Sequence, residues 1–173
     1  MNFLEELVAE WYEYNGYFCR TNIRFGETGH GGHIGEMDVI AYHPKTREFI
    51  HIECSSDSWS WDKKREVFKK KFNNASRYYE REFPFEKSDV KKIAITGYSK
   101  PKVDKEEKLN FGSDTEVILV PDFVASVAQK VSKLDPWTTG IHEDTYPLLR
   151  AIQYGTVYLK RAERTQNKKI IKI

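Results

Sequence analysis

Apolar side chains recur at Phe3, Leu4, Leu7, Val8 and Trp11, the spacing of one helical face, and the pattern stops at Asn15-Gly16. This predicts a helix over residues 3–14. The period then changes. YFCRTNIRF (17–25), EMDVIAYHP (36–44) and EFIHIECS (48–55) read as strands, joined by the flexible glycine-rich GETGHGGHIG (26–35) and the turn HPKTR (43–47). A long amphipathic helix is predicted from Asp62 to about Phe83, with Ser60 or Asp62 as its cap. VKKIAITGY (90–98) and EVILV (116–120) are two further strands separated by a charged loop. Helices follow from Pro121 to about Lys133 and from Tyr146 to Lys160, ahead of the basic tail RAERTQNKKIIKI.

This order suggests how the strands pair. Three strands close in sequence suit an antiparallel meander, and the long helix after the third can cross over to a parallel fourth. The expectation is a five-stranded mixed sheet with helices on both faces, in one domain of 173 residues. Composition leaves that picture unchanged, at 39% hydrophobic and 31% charged residues. No apolar run approaches the roughly 18 residues of a membrane span. The acidic start MNFLEELVAEWYEY is unlike a secretory leader, and two cysteines, Cys19 and Cys54, do not make a disulfide framework. A reduced, cytoplasmic chain with no membrane partner is expected. Charge does add something. The net value is only +2, yet Ser60–Lys108 carries fifteen Lys/Arg against nine Asp/Glu. Such polarity favours a phosphate backbone on one side, although a solvated lysine-rich helix gives the same count.

The candidate chemistry lies on the second and third strands. Strand alternation puts Asp38, Ile40 and Tyr42 on one face, and His51, Glu53 and Ser55 on one face of the next strand. Paired about HPKTR, Asp38 and Glu53 can face each other, and two carboxylates so placed repel unless a cation or a proton lies between them. GYFCRTNIRFG, GEMDVIAY and FIHIECS, in that order, resemble the PD-(D/E)XK nuclease superfamily, closest in layout to archaeal Holliday-junction resolvase-like members. The resemblance covers about residues 3–98 and gives little for the C-terminal helices and tail, 121–173. It implies a restriction-endonuclease-like three-layer α/β fold, a mixed central sheet flanked by helices, and cleavage of a nucleic acid backbone, DNA before RNA. It further implies Mg²⁺, with Mn²⁺ as a substitute, held by Asp38, Glu53, the Cys54 carbonyl and a carboxylate of the first helix. Glu10, on the flank of the apolar stripe, is the choice there, with Glu6 in reserve and Glu5 and Glu13 placed farther toward solvent.

Ser55 departs from the family pattern, which has lysine at that position. A hydroxyl supplies no positive charge and is a poor base. In some members the lysine has moved to the following helix, where this chain offers Lys64 and Lys71. Lys64, nearer the helix start, is the expected catalytic substitute. Phosphate and base contacts are expected from Arg20, Arg24, Lys63, Lys71 and Trp59. Trp59 and Trp61 either stack on a splayed base or pack the core. His30, His33 and His51 with the two acids could instead ligate zinc, or His51 could simply hydrogen-bond at the sheet edge. Three functional classes compete, first among them a metal-dependent endonuclease and a catalytically degenerate nuclease-fold protein that binds nucleic acid or serves as a complex subunit. A structural or interaction protein unrelated to nucleic acid is the third. Cutting both strands would call for paired sites, hence a homodimer.

Overall fold

The computed structural model describes residues 2–83, 90–112, 114–138 and 140–170, with backbone alone over 163–170. The elements run α1 (Phe3–Tyr14), β1 (Phe18–Glu27), β2 (His33–His43), β3 (Glu48–Ser55), α2 (Trp61–Ala75), α3 (Tyr79–Glu82), β4 (Val90–Thr96), α4 (Lys105–Lys108), β5 (Thr115–Ile118), α5 (Val120–Val131) and α6 (Pro147–Ile170). They form two compact units, Met1–Phe123 and Val124–Ile173. The first holds a five-stranded sheet in the order β1-β2-β3-β4-β5. β1, β2 and β3 are antiparallel neighbours, while β3, β4 and β5 are parallel. The architecture is α/β, with a mixed central sheet flanked by helices.

β3 is buried at every position from Phe49 to Cys54, so both of its faces are covered. That burial explains why its sequence is nearly continuous in apolar residues. α1 begins with a capping box. The Asn2 side chain accepts from the Leu4 and Glu5 N–H groups at 2.9 and 3.1 Å, and Glu5 accepts from the Asn2 N–H at 3.0 Å. Its buried residues are Leu4, Glu5, Leu7, Val8 and Ala9, a stripe centred near Val8. Phe3 is 61% exposed, which rotates the stripe away from the expected centre between Leu7 and Trp11.

α2 is shorter than its sequence pattern predicts. The helix ends at Ala75 rather than Phe83, and the Ser76 hydroxyl donates to the Phe72 carbonyl at 2.7 Å. The Phe72 carbonyl also accepts from the Ser76 N–H at 2.9 Å, and the chain restarts as the four-residue α3. Residues 84–89 lie outside those described. α2 buries Lys64, Phe68, Phe72 and Ala75. Phe68 and Phe72 pack with Ala94 of β4 and with Phe111. Ala75 and Tyr79 join Ile23, Phe25, Met37, Ile40, Phe49 and Val90 in a second cluster.

The glycine-rich stretch is less of a loop than expected. β1 runs to Glu27 and β2 begins at His33, leaving a tight hairpin closed by the Thr28 N–H donating to the Gly32 carbonyl at 2.8 Å. Gly26 has φ +66°, and a Cβ there would meet the Tyr78 hydroxyl at 2.8 Å, so side chains are excluded twice over. In the second unit α6 extends to Ile170, beyond the expected end at Lys160; residues 171–173 of the tail lie outside those described. Arg150 organises the connection before α6, donating to the Pro136 carbonyl at 3.2 Å, Gln153 at 2.6 Å and the Tyr154 hydroxyl at 2.7 Å. Among the described residues no helix is long and apolar enough to cross a membrane.

The Phe68 ring, 1% exposed, joins α2 to β4 and to Phe111. Phe68→Ala is expected to lower unfolding free energy in urea by about 3–5 kcal/mol; a loss under about 1 kcal/mol would contradict this packing.

Candidate functional site

Asp38 lies where one ladder ends and another is interrupted. β2 pairs with β3 only as far as Val39↔Ile52, so Asp38 and Glu53 are the next residues beyond the paired region. On the other side, β1 pairs at Thr21↔Val39 and Ile23↔Met37 but not between them, where Asn22 takes φ +53° opposite Asp38. Breaking the ladder frees backbone groups, and here the Asp38 carboxylate takes one of them. The Cys54 N–H donates to its Oδ2 at 2.8 Å.

Lys71 of α2 completes the site. Its Nζ donates to Asp38 Oδ1 and Oδ2 at 3.0 and 2.9 Å and is ion-paired with Glu53 Oε2. The Glu53 contact is a charge pair rather than an aligned hydrogen bond. Glu53 Oε1 meets His51 Nε2 at 2.8 Å, and His51 Nδ1 meets the Tyr79 hydroxyl at 2.6 Å. One polar chain therefore runs Tyr79–His51–Glu53–Lys71–Asp38–Cys54 through buried surroundings.

Burial dominates the electrostatics here. It raises the Asp38 carboxyl, helped by the Glu53 charge and opposed by Lys71, to about 6. Burial likewise raises Glu53, again against Lys71. It pushes His51 down to about 3, so the imidazole is neutral. Burial alone would lower Lys71, but Glu53 and Asp38 together hold it above its ordinary value. With both acids ionised the triad carries one uncompensated negative charge.

The other expected residues are distributed around this centre. Lys64, expected beside the acids, donates its ammonium to the Asp57 carbonyl; Lys71 occupies the place expected for it. Glu5, expected toward solvent, is buried and is the α1 carboxylate whose charge reaches Glu53 and Cys54. The expected Glu10 instead acts on its neighbour Glu13, whose carboxyl is raised first by burial and then by the Glu10 charge. Cys54 contributes its backbone N–H, where its carbonyl was expected. Ser55 is used in the turn after β3, donating to Asp57 Oδ2 at 2.8 Å and accepting from the Asp57 N–H at 3.1 Å. His30 and His33 are exposed at the hairpin, while His51 is inside, so the three do not converge as a zinc site would require.

Three recesses lie around the centre, and one of them shares a residue with it. A groove of about 280 Å³ lies between the β1–β2 hairpin and α2, lined by Phe25, Ile34, Glu36, Lys63, Lys70 and Lys71 among others. Lys71, with its side chain 34% exposed, belongs both to this groove and to the triad. Arg20 and Arg24 lie at another recess, with Asn22 and Glu82, and Arg24 reaches Glu36 at 3.4 Å. Trp59 stands in a third recess with Trp61 and Tyr98.

The donor set does not fit a resident Mg²⁺ in this arrangement. All four carboxylate oxygens of Asp38 and Glu53 have protein partners, and an ammonium fills the position between them. Among the described residues no group of three or more His, Cys, Asp or Glu side chains could hold a metal ion. No family model matches the sequence, and no curated protein matches it significantly. The mixed five-stranded sheet with its flanking helices is consistent with a general α/β nuclease-like topology.

Two outcomes follow from the triad. Lys71→Met strands two buried carboxylates, and at pH 7.5 it should cost about 3–5 kcal/mol in urea unfolding. Adding Asp38→Asn and Glu53→Gln to that variant should recover much of the loss. In metal-free buffer the raised Asp38 carboxyl makes the native state hold more protons than the unfolded chain between about pH 4 and 6. Its contribution is therefore present at low pH and lost as pH rises through about 6. The stability difference, wild type minus Asp38→Asn, should fall by about 2–3 kcal/mol over that interval. A difference that rose instead would refute the assigned direction.

Proposed function

We propose that this chain is a nuclease-fold protein that binds nucleic acid, DNA being the first polymer to test, through the lysine-lined groove beside a closed acid–lysine centre. The observation that carries this reading is the position of Lys71. One ammonium neutralises part of the Asp38–Glu53 pair in the manner of an internal cation, and it also lines a groove with Lys63 and Lys70. Phosphate contacts need cations held at a surface rather than a reactive metal. Ser55, committed to the turn after β3, supports the absence of a lysine-assisted reaction from the strand.

A second reading, a Mg²⁺-dependent endonuclease of the PD-(D/E)XK kind, is favoured by one observation. With both acids ionised the triad would carry a buried negative charge, which a cation would balance. Asp38 and Glu53 are the acids at issue, and Lys71 replaces Lys64 as the lysine in question. An ion there requires the Lys71 ammonium to leave its present partners.

Labelled linear, nicked, single-stranded and four-way-junction DNA, incubated with protein in Mg²⁺, Mn²⁺ or chelator, separates the readings. The expected outcome is binding without cleavage, weakened by salt, with Lys70→Ala lowering the logarithmic salt slope by about 0.7–0.9. Metal-dependent cutting abolished by both Asp38→Ala and Glu53→Ala would establish the enzyme instead. Neither binding nor cutting on any substrate would sink both.

A further inference from the structure

The parallel strands β3 and β4 end side by side at Ser55 and Thr96. Crevices outside the carboxyl ends of parallel strands are common ligand sites in open α/β sheets. Here the crevice is a recess of about 200 Å³ lined by Asp57, Ser58, Trp59, Trp61, Lys64, Gly97, Tyr98 and Ser99, of which the three aromatics and Lys64 carry the argument. Trp61 forms an inner wall. Its indole lies so close to Gly97, at φ +75°, that a Cβ there would stand 2.9 Å from the ring, and its other side faces Phe111. Trp59 and Tyr98, 44% and 58% exposed, leave large aromatic surface in water. Among the described residues neither is stacked on another ring.

The walls are pinned rather than loose. The Lys64 ammonium and the Ser55 hydroxyl hold the Trp59 loop through Asp57, and the Tyr98 hydroxyl donates to the Ser56 carbonyl at 3.2 Å. Preformed aromatic surface of this kind reduces the ordering cost of a ligand. The volume is below the roughly 300 Å³ at which small-molecule pockets usually begin, enough for one planar ring. Lys63, Lys100 and Lys102 are exposed on the flanking segments, among the acids Asp57 and Asp62, and Lys63 pairs with Glu66 at 3.1 Å. Lys64 and Lys71 are seven residues apart on α2, so the recess lies about 10 Å along the helix from the acid–lysine centre.

Resting on the nucleic-acid reading above, we infer that this recess receives an unpaired nucleobase, stacked on Trp59 and Tyr98, while the neighbouring lysines hold the flanking phosphates. The preferred substrate is then single-stranded, or a duplex with unpaired nucleotides, rather than continuous duplex. Stacking is sequence-tolerant because every base presents a π-face.

The experiment compares full-length protein with a labelled 20-nucleotide oligo(dT), oligo(U), a duplex of equal length and an abasic oligonucleotide of the same backbone. Fluorescence anisotropy reads affinity, and quenching of tryptophan emission reads stacking. Oligo(dT) or oligo(U) should bind about tenfold more tightly than the abasic chain and should quench emission. Trp59→Ala should erase that advantage without altering abasic binding, Tyr98→Ala should reduce it, and Trp59→Phe should preserve most of it. Equal affinity for abasic and base-bearing strands, or an unaffected Trp59→Ala variant, overturns the base pocket. Should Lys70→Ala still weaken that base-indifferent binding, the groove reading survives alone. No binding to any of the four polymers overturns both.

Discussion

Everything near the candidate site depends on one buried arrangement, an ammonium shared by two carboxylates. Asp38 comes from β2, Glu53 from β3 and Lys71 from α2, so the triad is formed only when sheet register and helix position are both right. Desolvating three ionised groups is expensive and is offset only by close geometry and added hydrogen bonds. The Cys54 N–H and the His51 ring supply those extra partners. A slip of one residue in β2 or β3 would turn a carboxylate to the other face and leave Lys71 with a single partner. The triad therefore penalises wrong registers together with the surrounding apolar clusters.

The same contacts fix how α2 lies on β3. Lys64 meets Asp57, Lys71 meets Glu53, and Tyr79 beyond the helix meets His51. Descending the strand from 57 to 53 to 51 corresponds to ascending the sequence from 64 to 71 to 79, as expected of a crossover helix returning along the strand it follows. This explains why Lys64 was the expected partner and Lys71 the observed one. The choice of Lys64 placed the helix start level with the end of β3. In fact residues 56–60 carry the chain past the strand before α2 begins at Trp61, and nearly three turns of helix are spent returning to the level of Glu53 at Lys71. The ends of β3 and the start of α2 were readable within a residue or two. The offset between them depends on the path of a five-residue loop, for which no periodicity exists.

The sheet itself was legible because alternation and connection length both pointed one way. Strand pairing about HPKTR put Asp38 opposite Glu53, and the long helix implied the parallel neighbour. Glu5 was not legible for a different reason. Phe3 looks like a core residue, and including it rotates the inferred stripe by enough to send Glu5 outward. Ala9, too small to count strongly, is the residue that marks the true face. His51 was noticed as a metal candidate or an edge hydrogen bond; its link to Tyr79 crosses twenty-eight residues and a helix break at Ser76, which local pattern cannot anticipate.

The position of Lys71 also constrains any account of ligand binding. Asp38 and Glu53 together would repel an approaching phosphate, since their field is only half neutralised by one ammonium. The groove answers that with Lys63 and Lys70 on the same face of α2. Lys71 is pulled both ways, because donors turned toward a phosphate are withdrawn from the carboxylates. A protein that binds but does not cut can keep Lys71 inward and let the outer lysines hold the backbone. An enzyme at this site would have to move it and place another positive charge between the acids. The two readings thus differ chiefly in where one side chain rests when nucleic acid is bound, not in fold, groove or the identity of the residues present.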